Sequence, residues 1–278
     1  FVAPTLTARQ AATLDQLTKG RIAMHFISGG SDVEQRRDGD WMDHDARYRR
    51  TDEFMGILKR VWTETEPFDH KGEFYQFEQN LSEVRTYQQP HVPLYFGGAS
   101  DVAKEVGAKR ADIYALWGEP LASIKEQIAD IRARAAKYDR TIRFSVSVRP
   151  ILGDTEDEAW ERARGILDRV KSSVGNTIGP GKPARLQSEG SRRLLDFASQ
   201  GDIHDKRLWM PIAATTGAAG NTTALVGTAE QVAESLLAYH QAGADAFIIR
   251  GFDPMQDTID WGKELIPMVR EGAAALAK

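Results

Sequence analysis

Short apolar runs, each followed by an amphipathic helical stretch, recur along the chain and restrict its fold more than any other feature. The runs are "RIAMHFIS" (21–28), "PLYFG" (93–97), "ADIYALWG" (111–118), "IRFSVSVRPIL" (142–152) and "ADAFIIRGF" (244–252). A strand with one face in water alternates apolar and polar residues. Several of these runs do not alternate, as expected where helices cover both faces or where a barrel encloses the strand. Strand and helix in strict succession give a parallel sheet, either doubly wound or closed as a (β/α)8 TIM barrel. The five runs account for part of such a barrel; at about 30 or more residues per strand and helix, roughly three strands would lie upstream.

The helices carry their own signals. Pro4 and Thr5 read as a helix entry and Gly20 as its exit. Phe54, Ile57, Leu58, Val61 and Trp62 mark one helical face, and Ile124, Ile128, Ile131 and Ala135 another. Ser100 opens a helix, Thr155 with Glu158 forms a capping box, and Thr228 with Gln231 caps the helix before the last strand. The opening "FVAPT" reads as the tail of an earlier strand and loop, so residues 1–278 are expected to form a single barrel domain without its first strands. Two stretches interrupt the alternation. Residues 66–92 suit a hairpin-like insertion, and residues 171–223, rich in Gly, Ser, Thr and Ala, suit a lid loop.

Bulk properties exclude several classes. With 36 basic and 40 acidic residues and a net charge of −4, neither nucleic acid nor an anionic membrane is expected as partner. No apolar run is long enough to span a bilayer and no signal-peptide pattern is present. The chain has no cysteine, which removes disulfide and thiolate chemistry from this stretch. Its six histidines are scattered without metal-ligand spacing, and no nucleophile elbow occurs. A soluble, cytoplasmic enzyme whose hard step is done by a cofactor is the expectation.

Three groups of residues could carry chemistry. "YFGGAS" (95–100) runs from a strand through two glycines into a helix start, a geometry that seats a phosphate on free backbone amides, although Gly-Gly equally serves to turn the chain. In "DHDARY" (43–48), His44 and Tyr48 lie one turn apart at a helix entry, either as donors to a phosphate or ribityl hydroxyl or as a local packing pair. The third group sits at the C-terminal ends of strands, where barrel enzymes keep their sites: Ser28-Gly29-Gly30, Trp117, Ser147 with Arg149, and Arg250 with Phe252. Arginine there either meets an anion or pairs with a nearby carboxylate such as Asp253.

At these residues the chain resembles the bacterial-luciferase-like flavin monooxygenases, in particular the alkanesulfonate monooxygenases. The matching stretches include "ARQAATLDQLTKGR", "SGGSDVEQRRDGDWMDHDARYRRTDEF", "QQPHVPLYFGGASDVA", "WGEP", "IRFSVSVRPILGDTEDEAW" and "TALVG". The resemblance implies a luciferase-like TIM barrel and a two-component reaction. FMNH2, delivered by an NAD(P)H-dependent flavin reductase, and O2 together oxidise the sulfonate-bearing carbon, releasing sulfite and an aldehyde. It implies that His44, Tyr48, Gly97, Gly98, Ala99 and Ser100 hold the flavin phosphate, that His25 and Ser28 face the flavin, and that Trp117 belongs to the sulfonate site. It also implies a homo-oligomer, dimer or tetramer.

The chain departs from alkanesulfonate enzymes at Ser147, where they carry arginine, at Arg149, where they carry histidine, and at Phe252, where they carry tyrosine. Arg149, as the catalytic anion anchor, with Arg250 would then bind the sulfonate. The more polar pocket points to sulfoquinovose, a six-carbon sugar sulfonate. Lys182, Arg185, Arg192 and Arg193 either reach toward the phosphate or sulfonate on lid closure or form a solvated basic surface. The alternatives are a simple alkanesulfonate or dimethyl sulfone monooxygenase, a flavin-binding protein without turnover, and a phosphosugar lyase or isomerase barrel.

Overall fold

A computed structural model of the chain describes residues 2–177 and 188–276. Its contacts divide the chain into two compact units, residues 1–114 with 131–142, and residues 115–130 with 143–278. Each is built from strands followed by helices, and the sheet pairings are mostly parallel.

The first unit begins with α1 (Pro4–Thr18), β1 (Met24–Phe26), α2 (Asp32–Arg37) and α3 (His44–Thr63). A hairpin, β2 (Phe68–Lys71) with β3 (Gln76–Asn80), then leads to β4 (Leu94–Gly97) and α4 (Asp101–Arg110). The hairpin lies within residues 66–92. It is pinned by the Glu53 carboxylate, which accepts from the Phe74 and Tyr75 amides, each at 3.0 Å, and pairs with His70.

Pro4 occupies the first turn of α1, where its missing N–H is no loss. The helix ends at Lys19, whose φ of 54° reverses the chain. Strand β1 pairs in parallel with β4 in the register Met24↔Leu94, and is shorter than the 21–28 run suggested. Ile57, Leu58, Val61 and Trp62 are buried on α3 as their spacing requires; Met55 joins them, while Phe54 of the expected face is only half-buried. Each such side chain contributes about 1.5–3 kcal/mol on full burial. Trp62 also donates its Nε1 hydrogen to the Ala8 carbonyl at 2.8 Å, locking α3 to α1.

The division between units falls inside β5 (Ile113–Trp117) and again inside α5 (Leu121–Ala136). The second unit continues with β6 (Arg143–Leu152), α6 (Glu156–Thr177) and α7 (Glu189–Gln200). An antiparallel hairpin follows, β7 (Ile203–His204) with β8 (Leu208–Trp209), then α8 (Pro211–Thr215), β9 (Ala224–Gly227), α9 (Ala229–Gln241) and β10 (Ala246–Ile249). The tail is α10 (Pro254–Asp260), a π-helical turn at Trp261–Leu265, and α11 (Ile266–Leu276).

Strand β6 organises this unit. Residues 145–148 pair in parallel with β10, and residues 149–152 with β9. Because N–H and C=O groups of residues two apart point the same way, the Ser147 carbonyl and the Arg149 amide share one edge. The first accepts from Gly118 N at 2.8 Å; the second donates to Thr223 O at 3.0 Å. The end of β5 and the start of β9 therefore meet end to end along one edge of β6, with β10 on the other. Ile151, Ala159, Ala163, Ile166, Trp209, Ile212, Ala224 and Val226 form a core cluster beneath.

The stretch 171–223 differs from the expected loop. Helix α6 runs through Thr177, and α7, the hairpin and α8 fill 189–215 with regular structure. Residues 178–187, with Lys182 and Arg185, lie outside the described residues. Strand β9 was not marked by the sequence pattern. The capping boxes at Thr155/Glu158 and Thr228/Gln231 form as expected.

Candidate active site

The start of α4 gathers the first group of residues. Asp43 caps α3 by accepting from the Ala46 amide at 2.7 Å, which fixes His44 at the first helical position. Tyr48 follows one turn later, and the two rings lie 4.8 Å apart. The His44 Nδ1 is engaged with Asp45 at 2.7 Å. Tyr48 is buried edge-on against Phe96 of β4. Its phenol is hydrogen-bonded to the Ser100 hydroxyl, and burial raises its pKa, so it stays a neutral donor.

Ser100 in turn caps α4 by accepting from the Ala103 amide. Gly98 is required by close approach: a Cβ there would stand 2.5 Å from the Ala103 Cβ and 3.2 Å from the Tyr48 phenol oxygen. The Gly98 carbonyl is held from behind by the Tyr114 hydroxyl at 2.6 Å. Asp101, the one acid of the first turn of α4, is drawn to Arg134 at 2.8 Å. His44, Tyr48, Gly98 and Ser100 thus converge on a helix N-terminus, with Gly97 and Ala99 as the flanking backbone. Free amides, the helix dipole, two hydroxyls and an imidazole favour an anion there.

His25 and Ser28 make contacts of their own. His25 is exposed and faces Tyr95 across the β1–β4 pair, with ring centroids 6.1 Å apart; partial desolvation lowers its pKa. Ser28 is buried, shares a hydrogen bond with Thr51 at 2.8 Å, and lines a cavity of about 270 Å³ with Phe26, Arg50 and Tyr75.

In the second unit, Arg149 lies in β6, and Arg250, which is exposed, directly follows β10, its amide donating to the Val148 carbonyl at 3.4 Å. Arg149 is half-buried and meets no carboxylate among the described residues. Its Nε donates to the Asn221 carbonyl at 3.1 Å, one terminal nitrogen donates to the Gly251 carbonyl at 3.3 Å, and its guanidinium lies 5.0 Å from the Phe252 ring centre. Burial first, and then the Arg250 charge, lower its pKa, yet a guanidinium remains charged at neutral pH. Asp253, the expected alternative partner, instead caps α10 by accepting from the Gln256 amide. Phe252 is placed by the buried Asp257 carboxylate, which accepts from the Phe252 and Asp253 amides and pairs with Arg162.

Ser147 is bound twice by the Asn221 side chain, through its carbonyl at 2.5 Å and its hydroxyl at 2.9 Å. Trp117 is half-buried at the β5 exit, and α7 crosses it so closely that a Cβ on Gly190 would stand 3.0 Å from the indole ring. Helix α7 is held there by Arg193, whose guanidinium makes two hydrogen bonds to the buried Glu119 carboxylate at 3.0 and 2.6 Å. Ser123 and Gln127 donate to the same carboxylate. Arg193 is therefore a structural cation rather than a free lid arginine, and Arg192 pairs with Glu189 on its own helix. Asn221, Glu119 and the Arg193 role were not found from sequence. The one hint is the acid in "LWGEP", immediately after a strand, where burial demands a partner.

No group of metal-ligating side chains occurs among the described residues, and none of their helices is long and apolar enough to cross a membrane. Parallel strands feeding helices, with polar residues collected at strand ends, define an α/β barrel-type enzyme. The chain matches the luciferase-like monooxygenase family model over residues 1–246. It belongs to that family, and its fold is of the luciferase-like TIM-barrel type.

Among solved structures it is similar to the riboflavin lyase RcaE, crystallised with modified FMN and riboflavin. The identity is 22% and the TM-score 0.77, over 98% of this chain and 68% of that one. It is likewise similar to the EDTA monooxygenase EmoA from Chelativorans sp. BNC1, at 19% identity and TM-score 0.73 over 98% and 72%. DmoA from Hyphomicrobium sulfonivorans gives 21% and 0.75, over 98% of this chain and 66% of that one.

Proposed function

We propose that the chain is the oxygenating component of a two-component system, an FMNH2-dependent monooxygenase that cleaves the C–S bond of an organosulfonate, with sulfoquinovose as substrate. The observation that carries this reading is Arg149. A half-buried guanidinium tethered only to neutral groups, beside a second arginine, leaves positive charge uncompensated. Such a site is costly to build unless an anion completes it. A sulfonate is ionised at every working pH, so a fixed guanidinium with parallel N–H donors suits it better than a titrating imidazole. Ser147, whose hydroxyl is held by the Asn221 amide, adds a neutral polar group nearby, which suits a hydroxyl-bearing substrate.

The start of α4 fits the phosphate of FMN. The Gly98 backbone is kept bare, the Tyr48 and Ser100 hydroxyls meet beside it, and Asp101, the acid in the first turn of α4, is paired with Arg134. When bound, reduced FMN supplies two electrons to O2, so that one oxygen becomes the aldehyde oxygen, the other leaves as water, and the C–S electron pair departs with sulfite. Arg149 and Arg250 hold the sulfonate and stabilise the charge that grows on it as sulfite forms. Trp117, under α7, supplies an apolar wall that excludes water, and the Glu119–Arg193 pair keeps α7 in place.

The test is sulfite release with FMN, a flavin reductase, NAD(P)H and O2, comparing sulfoquinovose, 1-octanesulfonate and uncharged dimethyl sulfone. Sulfite from sulfoquinovose is expected. Release from octanesulfonate alone moves the substrate to simple alkanesulfonates, and turnover of dimethyl sulfone alone removes the need for an anion anchor. FMN binding with no oxygen consumption above the free-flavin background leaves a flavin carrier without turnover.

A further inference from the structure

Asn221 occupies the gap between two strands that share an edge of β6. Strand β5 ends at Trp117 and contributes a last bond from the Gly118 amide to the Ser147 carbonyl at 2.8 Å. Strand β9 begins at Ala224, preceded by the bond from the Arg149 amide to the Thr223 carbonyl at 3.0 Å. The Asn221 amide fills the position between them. Its Nδ2 donates to both oxygens of Ser147, and its Oδ1 accepts from the Thr223 hydroxyl at 3.0 Å. Its own carbonyl is then fixed where it receives the Arg149 Nε.

The loop that presents Asn221 is braced for the purpose. Ala218 is fully buried with φ of 49°, a conformation that a residue with a Cβ rarely adopts. It is held by its amide to the Ala213 carbonyl at 2.7 Å and by the buried Ser191 hydroxyl of α7, which donates to its carbonyl at 2.8 Å. Backbone strain persists where its surroundings over-determine it, and such positions cluster at ligand sites.

We propose that Asn221 is a positioning residue for sulfonate selection. Its side chain fixes the Ser147 hydroxyl and, through its own carbonyl, the direction of the Arg149 guanidinium. This rests on the organosulfonate reading and deepens it by naming the group that aims the anchor. Asn221 acts through Arg149 and Ser147 rather than on the reacting atoms. Losing the amide frees the carbonyl to drift, so Arg149 keeps its charge and loses its aim.

The experiment measures equilibrium binding of sulfoquinovose and of 1-octanesulfonate by calorimetry on the full chain, and FMN binding separately by flavin fluorescence. Asn221→Ala is expected to weaken sulfonate binding by roughly tenfold, the loss of hydrogen bonds to a charged site's support, with FMN affinity within twofold of wild type. In turnover the change falls on KM rather than kcat. Asn221→Ala combined with Ser147→Ala is expected to be little worse than Asn221→Ala alone, because the two share one network. Thr223→Val, which removes only the bond to Oδ1, gives a smaller loss in the same direction and covers the case in which Asn221→Ala does not fold.

Wild-type affinity for sulfonate in folded Asn221→Ala and Thr223→Val proteins overturns the inference and leaves the organosulfonate reading intact. So does an equal loss of FMN and sulfonate binding, which marks a structural role. A wild-type chain that binds neither sulfonate overturns the reading and the inference with it.

Discussion

At the start of α4 the chain offers an anion backbone amides, hydroxyls and an imidazole; on β6 and directly after β10 it offers two guanidiniums. The first arrangement carries little net charge and works by geometry. Gly98 lets the backbone come close, Ser100 caps, and Tyr48 remains a neutral donor. The second carries charge: the half-buried Arg149 guanidinium is tethered to carbonyl oxygens, and the exposed Arg250 stands beside it. A dipolar cradle fits a ligand held throughout a reaction, whereas concentrated fixed charge fits a group that must be recognised against neutral competitors and released as a more highly charged product. Variants in the two regions should therefore fail differently.

The largest effect is expected at Arg149. Arg149→Ala removes the anchor and should lower kcat/KM for the sulfonate by about 10²-fold or more, in the range measured for truncating one side of a desolvated charge contact, with FMN affinity unchanged. Steady-state kinetics beside flavin titration check this, and equal loss of both would erase the contrast between the regions. Next comes the Glu119–Arg193 pair. Glu119 is buried and satisfies Arg193, Ser123 and Gln127 together. Glu119→Ala strands the guanidinium and should cost about 3 kcal/mol of stability, read by urea denaturation, and should release α7 from Trp117. Quenching of tryptophan fluorescence by acrylamide should rise accordingly.

The same contrast explains what the sequence made legible. The cradle is assembled from signals that act within a few residues: a cap before α3, His44 and Tyr48 one turn apart, and Gly-Gly running into the Ser100 cap. Local rules of helix entry and turn chemistry suffice to read them. The arginine cluster is assembled across long separations. Arg149 meets Asn221 and Gly251, which lie 72 and 102 residues further on. An asparagine within "TTGAAGNTT" reads as an ordinary turn residue, and nothing nearby in sequence shows that it splices two strands. Strand β9 escaped for a related reason: four buried residues form too short a run to show a period. The stretch 171–223 reads as loop from its Gly, Ser, Thr and Ala content, yet 189–200 and 211–215 are helical, the first opened by the Ser188 cap and the second by Pro211.

A smaller effect is expected in the cradle. Gly98→Ala places a methyl group against the Ala103 Cβ and crowds the Tyr48 phenol, so the α4 start must shift by a few tenths of an ångström or more. FMN affinity should fall by roughly tenfold, the scale of one or two hydrogen bonds to a charged group, while calorimetric sulfonate affinity holds. Tyr48→Phe removes one donor and should lose less. If Gly98→Ala weakened the sulfonate and spared FMN, the assignments of the two regions would have to be exchanged.

The smallest effect concerns acid, and it separates the two regions by stability rather than by ligand. The histidines whose burial lowers their pKa, His25 and His91, both lie in the first compact unit. His91 stacks on Trp62 and donates from Nδ1 to the Val92 carbonyl at 3.0 Å, with Lys59 nearby opposing its protonation and Asp112 only partly offsetting this. In the unfolded chain each titrates near the ordinary histidine value of about 6.5. Between that value and the lower folded pKa the unfolded state binds more protons, so stability falls as pH drops through this window and is regained above it. His91→Gln keeps a polar side chain without a titrating ring. It should flatten the decline in unfolding free energy between about pH 7.5 and pH 5.5 by about 1 kcal/mol or less, as followed by urea denaturation at each pH. Sulfonate affinity, resting on guanidiniums and a permanent anion, should stay level across the same range.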